Sequence, residues 1–343
     1  MQSENIKIEN LIASQLGSTL KGFCSWLKEN AKGKSLFFLS REGWTVGENY
    51  KVIYPNDNVS FIRTSRILLN GINIQSTEDI LKEIKKPSLD TTISEFLNTR
   101  FSLTEEEIPK KILPIKDKVQ KRKTIESIIT SDNIFLELSH LIINRASQKR
   151  ERVLKYYNEK FGNHKNIALV DIGYNGTFRK EISKLYPDKI FSGYYLGTLD
   201  KAGDQDFGYL FQNKKNNNEN FNIENNVLFL EYLLSREEGT VLDIDNKNQP
   251  ILDSSVLPEN IIRIQSEILK NIKEYDTSIS LDFILNPSIP LVNYFKDAYV
   301  EDMYRGNKKH HLINKQKWRF TSKQKRNFIK KSAWRNGAKT LIS

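Results

Sequence analysis

Cysteine is almost absent. Cys24 stands alone among 343 residues, so no intramolecular disulfide can form, and the residue reads as part of the core. No Cys/His spacing resembles a zinc site, and a reducing cytosol is the compartment such usage favours. Long apolar runs are missing too. No stretch approaches the ~20 apolar residues of a membrane span, and the first residues carry Glu4 and Glu9 where a secretory leader would be apolar. The expectation is a cytoplasmic protein, neither secreted nor membrane-spanning. Acidic residues disappear near the end: from Met303 to Ser343 there are thirteen Lys or Arg and no Asp or Glu. Without that tail the chain holds 40 basic against 42 acidic residues, so the net charge of +11 belongs to one segment. That distribution argues against a body that binds nucleic acid. No internal repeat is visible.

What remains is the composition of a globular protein, with 38% hydrophobic and 28% charged residues. Leu16, Leu20, Phe23 and Leu27 recur at helical spacing and Gly33 stops the pattern, which predicts an opening amphipathic helix. Ser35-Leu-Phe-Phe-Leu-Ser40 has no polar alternation and suits a central strand covered on both faces. A second strand, Val59-Ser-Phe-Ile-Arg63, follows the turn signal Pro55-Asn-Asp-Asn58. Residues 76–161 read as a helical insertion serving as a lid or acceptor platform. Ile167-Ala-Leu-Val-Asp171 is the clearest strand; a tight loop joins it to a helix over 178–185, and Phe191-Ser-Gly-Tyr-Tyr-Leu-Gly197 is the next strand. This repeated βαβ pattern implies a mostly parallel α/β sheet, although its strand order does not follow from the sequence. Residues 213–222 read as an exposed Asn-rich loop, 227–234 as a helix and 240–252 as a hairpin. The expected division is a first core part over 1–75, the insertion over 76–161, a second core part over 162–256 and a helical, basic-tailed region over 257–343.

Two strand-ending loops carry the candidate chemistry. In open α/β sheets ligands bind at the carboxyl ends of strands, where helix amino ends present N–H groups to anions. In the loop Asp171-Ile-Gly-Tyr-Asn-Gly-Thr177, Gly173 and Gly176 permit close backbone approach, Asn175 can cap or donate, and Thr177 offers a hydroxyl at a helix start. Together they suit a phosphomonoester, while Asp171 suits ribose hydroxyls or a magnesium ion. The plainer alternative is a tight strand-to-helix turn. In the second loop, Ser40-Arg-Glu-Gly43, Arg41 and Gly43 fit a pyrophosphate through bidentate and backbone bonds. Thr64, Ser65 and Arg66 stand at the same rim, Arg66 either as an anion contact or as a surface ion-pair partner. Glu42 is either a general base or a solvated glutamate.

Three motifs in order, Phe37-Phe-Leu-Ser-Arg-Glu-Gly-Trp44, Phe61-Ile-Arg-Thr-Ser-Arg66 and Val170-Asp-Ile-Gly-Tyr-Asn-Gly-Thr177, resemble the phosphoribosyltransferase-fold glycosyltransferases of bacterial surface-polysaccharide (O-antigen or capsule) synthesis. The likeness spans about residues 10 to 250, including Leu230-Glu-Tyr-Leu-Leu-Ser235. It implies a sheet of the type I phosphoribosyltransferase kind and transfer of 5-phosphoribosyl from phosphoribosyl pyrophosphate (PRPP) to a sugar hydroxyl of a lipid-linked glycan. A HAD-type phosphatase would then remove the 5-phosphate. By this resemblance Ser40, Arg41 and Gly43 hold pyrophosphate, with Thr64, Ser65 and Arg66 accessory. Asp171, Gly173, Tyr174, Asn175, Gly176 and Thr177 hold the ribose 5-phosphate. Mg²⁺ assists, with Asp171 as its ligand, and Glu42, Asp171 and Glu231 are the candidates for the acceptor's base. The sequence departs from the nucleobase enzymes at Val170, where those have the first of two adjacent acids. The alternatives are a nucleobase-type phosphoribosyltransferase and a noncatalytic basic protein that binds membrane or nucleic acid.

In the tail, Trp318, Phe320, Phe328, Ile329 and Trp334 are interleaved with Lys and Arg. The pattern reads either as an interfacial helix touching the inner face of a membrane or as a basic helix packed onto the core by its aromatics. Asp243-Ile-Asp245 mimics a catalytic acid pair, yet the following Asn246-Lys-Asn-Gln249 reads as a hairpin turn. His310-His311 has no carboxylate or cysteine nearby to complete a metal site.

Overall fold

A computed structural model describes residues 2–85, 91–212, 226–254, 256–302, 308–313, 329, 332 and 334–342. The Asn-rich stretch 213–222 and the aromatics Trp318, Phe320 and Phe328 lie outside the described residues. Five parallel strands form the central sheet: β1 (Ser35–Leu39), β2 (Val59–Ile62), β3 (Asn166–Asp171), β4 (Ile190–Tyr195) and β5 (Asp206–Gly208), in the order β2-β1-β3-β4-β5. The chain is therefore α/β, and β1 is central as its unbroken apolar run requires. Strand side chains alternate between faces, so two cores arise from one run. Leu36 and Phe38 of β1 join Ala168 and Val170 of β3 on one face. Phe37 and Leu39 join Ile167 and Leu169 on the other.

The first face is covered by α1 (Gln2–Asn30), α2 (Glu42–Ile53), α9 (Val227–Leu234) and α10 (Glu259–Asn271). Leu16, Leu20, Phe23 and Leu27 are fully buried along one stripe of α1, as their spacing demands, and Cys24 is buried beside them. Burial of each such Leu or Phe is worth roughly 1.5–3 kcal/mol, enough to hold a long helix on the sheet. The second face takes α8 (Thr177–Leu185), the end of α7 (Asp132–Phe161) and the antiparallel hairpin of β6 (Glu238–Ile244) and β7 (Pro250–Ser254). In that hairpin Asp243 pairs with Arg152 at 2.7 Å. Asp245 accepts from the backbone N–H groups of Lys247 and Gln249, so the apparent acid motif makes a turn.

The insertion is helical, with α3 (Arg66–Leu69) leading into α4 (Thr77–Lys85), α5 (Ile93–Phe101), α6 (Arg122–Ile129) and α7. It has a third core, from Ile74 to Ala146. The expected boundary at 161 does not match the packing. Leu138, Ile142 and Ala146 of α7 belong to the insertion core, whereas Val153, Tyr156, Tyr157 and Phe161 of the same helix belong to the sheet. Lys149, buried between these halves, donates to Ile67 O at 2.8 Å and Ser102 Oγ at 2.7 Å.

Beyond α10 the chain was expected to be helical. It forms α11 (Asp282–Leu285) and α12 (Ile289–Tyr294), but then a hairpin of β8 (Tyr299–Asp302) and β9 (Lys308–His311), which includes His310 and His311. Its register sets Glu301 opposite Lys309 and Asp302 opposite Lys308. Trp334 is fully buried, stacked on Phe229 with ring centroids 4.2 Å apart, and its Nε1–H donates to Ile284 O. It is a core residue and not an interfacial one; Ile329 also packs against that core. Among the described residues no helix is long and apolar enough to cross a membrane.

Candidate active site

With the strand order β2-β1-β3-β4-β5, the chain moves outward from β1 to β2 and later returns to β3 on the opposite side of β1. The helices after β1 and β3 then leave toward opposite faces: α2 buries Val46 and Tyr50 in the first core, and α8 buries Ile182 in the second. A crevice opens between two such loops, at the carboxyl ends of adjacent strands. Both loops singled out from the sequence lie there.

They are in contact. A Cβ on Gly43 would stand 2.5 Å from Val170 O and 3.2 Å from the Asp171 Cα, so the first turn of α2 rests on the backbone at the end of β3. On the other loop Gly176 is the cap residue of α8, with φ +63° and no capping side chain. Asn175 therefore does not cap the helix. A Cβ on Gly176 would meet the Asp206 carboxylate. Gly173 has φ +151°, and Tyr174 O accepts from Leu199 N–H at 2.8 Å. Each loop contains one cis peptide bond, Ser40-Arg41 and Gly173-Tyr174. Thr177 is exposed and Asn175 half-buried at the start of α8, where uncapped N–H groups can receive an anion.

The hydroxyls of the first loop have structural partners. Ser40 Oγ donates to Thr64 O at 2.8 Å and accepts from Thr64 N–H at 2.9 Å, clamping β1 to β2. Thr64 Oγ1 pairs with the Tyr157 hydroxyl at 2.7 Å. Ser65 donates to Val241 O and caps α3 by accepting from Leu68 N–H. These three residues tie the rim together, and Arg41, Arg66 and Gly43 stand at the same strand ends. Trp44, next to Gly43, lies under the guanidinium groups of Arg63 and Arg236 at 5.2 and 5.6 Å from its ring centre.

Three acidic residues lie close enough for their charges to act on one another. Glu42 begins α2, Asp171 ends β3, and Glu231 lies on α9. Ser235 stands between two of these residues: its hydroxyl donates to the backbone carbonyl of Glu231 at 2.7 Å and lies 3.2 Å from the Glu42 carboxylate at Oε1. Arg41 Nη2 is 3.5 Å from the same Glu42 oxygen. Burial pushes the Asp171 carboxyl well above the usual carboxylate range, and the Glu42 and Glu231 charges add to the rise. The Ile172 N–H and Arg66 oppose it. All three proposed bases thus belong to one electrostatic unit.

A carboxyl whose folded pKa is raised costs stability when it ionises. The folded form binds the extra proton between the ordinary value of 3.8 and the raised one, so stability falls as pH rises through that window and stays lowered above it. Asp171→Asn removes the cost while keeping an oxygen for Ile172 N–H. The variant is expected to melt above the wild type at pH 7 to 8 by an amount that shrinks toward pH 4, in thermal scans across pH. A lower melting temperature at neutral pH would contradict it.

Sequence reasoning missed the support beneath the second loop. Asp206 is fully buried, and Arg179 holds it through Nε at 2.6 Å and Nη2 at 2.8 Å. Asp206 sits on a three-residue strand with no periodic signal; only the position of Arg179, two residues past Thr177, hinted at a role. Among the described residues no group of three or more His, Cys, Asp or Glu is arranged to hold a metal ion by itself. No protein-family model matches the chain, and no curated protein matches it.

Proposed function

We propose that the chain is a pentosyltransferase that takes 5-phosphoribosyl from PRPP and transfers it to a saccharide hydroxyl, releasing pyrophosphate. One observation carries this reading: β1 and β3, adjacent at the switch of the sheet, deliver two glycine-bearing loops that touch at Gly43 and Asp171. Such a rim has two anion-receptive ends with carboxylates between them, which matches a pentose with phosphate at one end and pyrophosphate at the other. The three motifs that resemble the phosphoribosyltransferase-fold glycosyltransferases fall on this rim, and the sheet in this reading is of the type I phosphoribosyltransferase kind.

Arg41 and backbone N–H groups near Gly43 would hold the pyrophosphate and stabilise its charge as it departs. Thr177 and the amino end of α8 would hold the 5-phosphate. In the transfer the bond from ribose C1 to the pyrophosphate oxygen breaks, with its electron pair leaving on pyrophosphate. The acceptor oxygen bonds to C1, and its proton passes to one of the carboxylates of Glu42, Asp171 and Glu231. The donor set fits Mg²⁺, which is normally held by one or two carboxylates together with substrate phosphates and not by a protein cage. Asp171 and Glu42 would hold it, and when bound it neutralises phosphate charge.

The test is purified protein with Mg²⁺, PRPP and a panel of glycosides. Pyrophosphate release that depends on a glycoside is the expected result. Turnover with free nucleobases would shift the reading to a salvage enzyme, and absence of PRPP binding by calorimetry would overturn it.

A further inference from the structure

The insertion leaves the sheet through α3 and the linker after it, and returns through α7. Where the two connections cross, neighbouring cations of α7 hold the outgoing chain by its carbonyls. Lys149 Nζ donates to Ile67 O at 2.8 Å and to Asn70 O at 3.4 Å, and Arg150 donates to Ile72 O at 2.6 Å and to Ile74 O at 2.7 Å. Lys149 also donates to Ser102 Oγ at 2.7 Å, just past α5, and Arg145 donates to Ser102 O at 3.1 Å. This clasp gathers α3, its linker and the end of α5 onto one stretch of α7, between the insertion core and the sheet core.

The two cations of the clasp differ. Arg150 is half-buried and keeps its proton, as guanidinium groups do. Lys149 is 2% exposed, and among the described residues its partners are two carbonyls and a hydroxyl, with no carboxylate. An ammonium there gives up its hydration without gaining a counter-charge. A neutral amine suits the same three partners, donating to both carbonyls and accepting from the Ser102 hydroxyl. Burial accordingly brings Lys149 down from the usual lysine range to about 7. Of the charges acting on it, Asp243 of β6 opposes the fall but is paired with Arg152, while Arg145 and Arg152 of α7 itself add to it.

We propose that Lys149 makes this clasp a proton-controlled hinge: protonation releases α3, its linker and the end of α5 from α7, and deprotonation closes them again. The hinge rests on the clasp alone and does not depend on the donor reading above. Because α3 begins at Arg66, its release reaches the rim of the crevice. In the open state Lys149 is in water and has its ordinary value of 10.5, so between about 7 and 10.5 only the open form carries the proton. Closure therefore gains as pH rises through that window, the opening equilibrium falling roughly tenfold per pH unit, and it is level below the window.

Amide hydrogen exchange of the whole protein across pH tests the hinge. The amides of Asn70, Ile72, Ile74 and Ser102 are hydrogen-bonded within the clasp, and those of β3 serve as the reference. The exchange chemistry itself quickens roughly tenfold per pH unit, so the falling equilibrium should hold the clasp amides at a nearly constant rate from about pH 7.5 to 9, with the full slope restored below about pH 6.5. They should also exchange faster than the β3 amides. In Lys149→Met, which has nothing to titrate, the plateau should vanish and the tenfold slope run throughout. A full slope in the wild type above about pH 7.5 overturns the proposal, as does a plateau that survives in Lys149→Met. Clasp amides that exchange no faster than β3 overturn it too, since the clasp would then open only with the whole protein. If Lys149→Met does not fold, the wild-type profile and the comparison with β3 decide alone.

Discussion

Replacing Arg179 with alanine is expected to destabilise the protein by about 3–5 kcal/mol, because it strands a buried carboxylate without its counter-charge. Asp206 has no exposed surface, and besides both bonds from Arg179 it accepts from Gly203 N–H at 2.8 Å. None of these groups can be replaced by solvent without opening the loop. The same carboxylate occupies the space where a side chain on Gly176 would go, so the loss extends to the backbone that begins α8. Denaturant unfolding of the variant should show a lower midpoint with an unchanged slope. A double replacement, Arg179→Met with Asp206→Leu, should recover much of the loss, since an apolar pair often matches a buried ion pair in stability. A single-variant loss below about 1 kcal/mol, the scale of a surface pair, would show that the loop does not depend on this contact.

Gly43→Ala should affect both stability and function. The new methyl would meet Val170 O and the Asp171 Cα, and backbone at the end of a central strand cannot turn aside as a flexible side chain does. An overpacking cost of about 3 kcal/mol is expected. Relief requires α2 to lift from β3, which separates the two loops that act on one ligand in the proposed function; on that proposal donor affinity should fall about a hundredfold, as misplacements near 1 Å do. Gly33→Ala is the control. Gly33 also has a positive φ, +75°, but a Cβ there meets nothing within 4 Å and the residue precedes β1 at the far end of the sheet. It should lose roughly 1 kcal/mol from backbone conformation and leave donor affinity intact. Equal effects of the two substitutions on donor affinity would remove the special role of Gly43.

Much of the architecture was readable because the signals were local. The α1 stripe, the apolar β1 and β3 runs and the glycines after them each concern fewer than ~30 residues of contiguous chain, and periodicity is a local property. Strand order was not readable, because nothing in β4 or β5 states which neighbour it will pair. The structural bonds of Ser40, Thr64 and Ser65 were not readable for the same reason. Hydroxyls at a strand end look available until Tyr157, Val241 and the partner strand are brought beside them. Trp334 read equally as interfacial or as packed onto the core, and Phe229, over a hundred positions earlier, supplies the ring that decides for the core. The grouping of Glu42, Asp171 and Glu231 was anticipated only as three separate candidates; the fold made them one unit.

The thirty-residue α7 runs unbroken from the insertion into the sheet core, about 45 Å at the normal helical rise. Its sheet-end residue Tyr157 touches Thr64, which is locked to Ser40 at the crevice. The helix is a spar. Through it the outer bundle is joined rigidly to the strand end that bears Ser40, the loop that holds pyrophosphate in the proposed function.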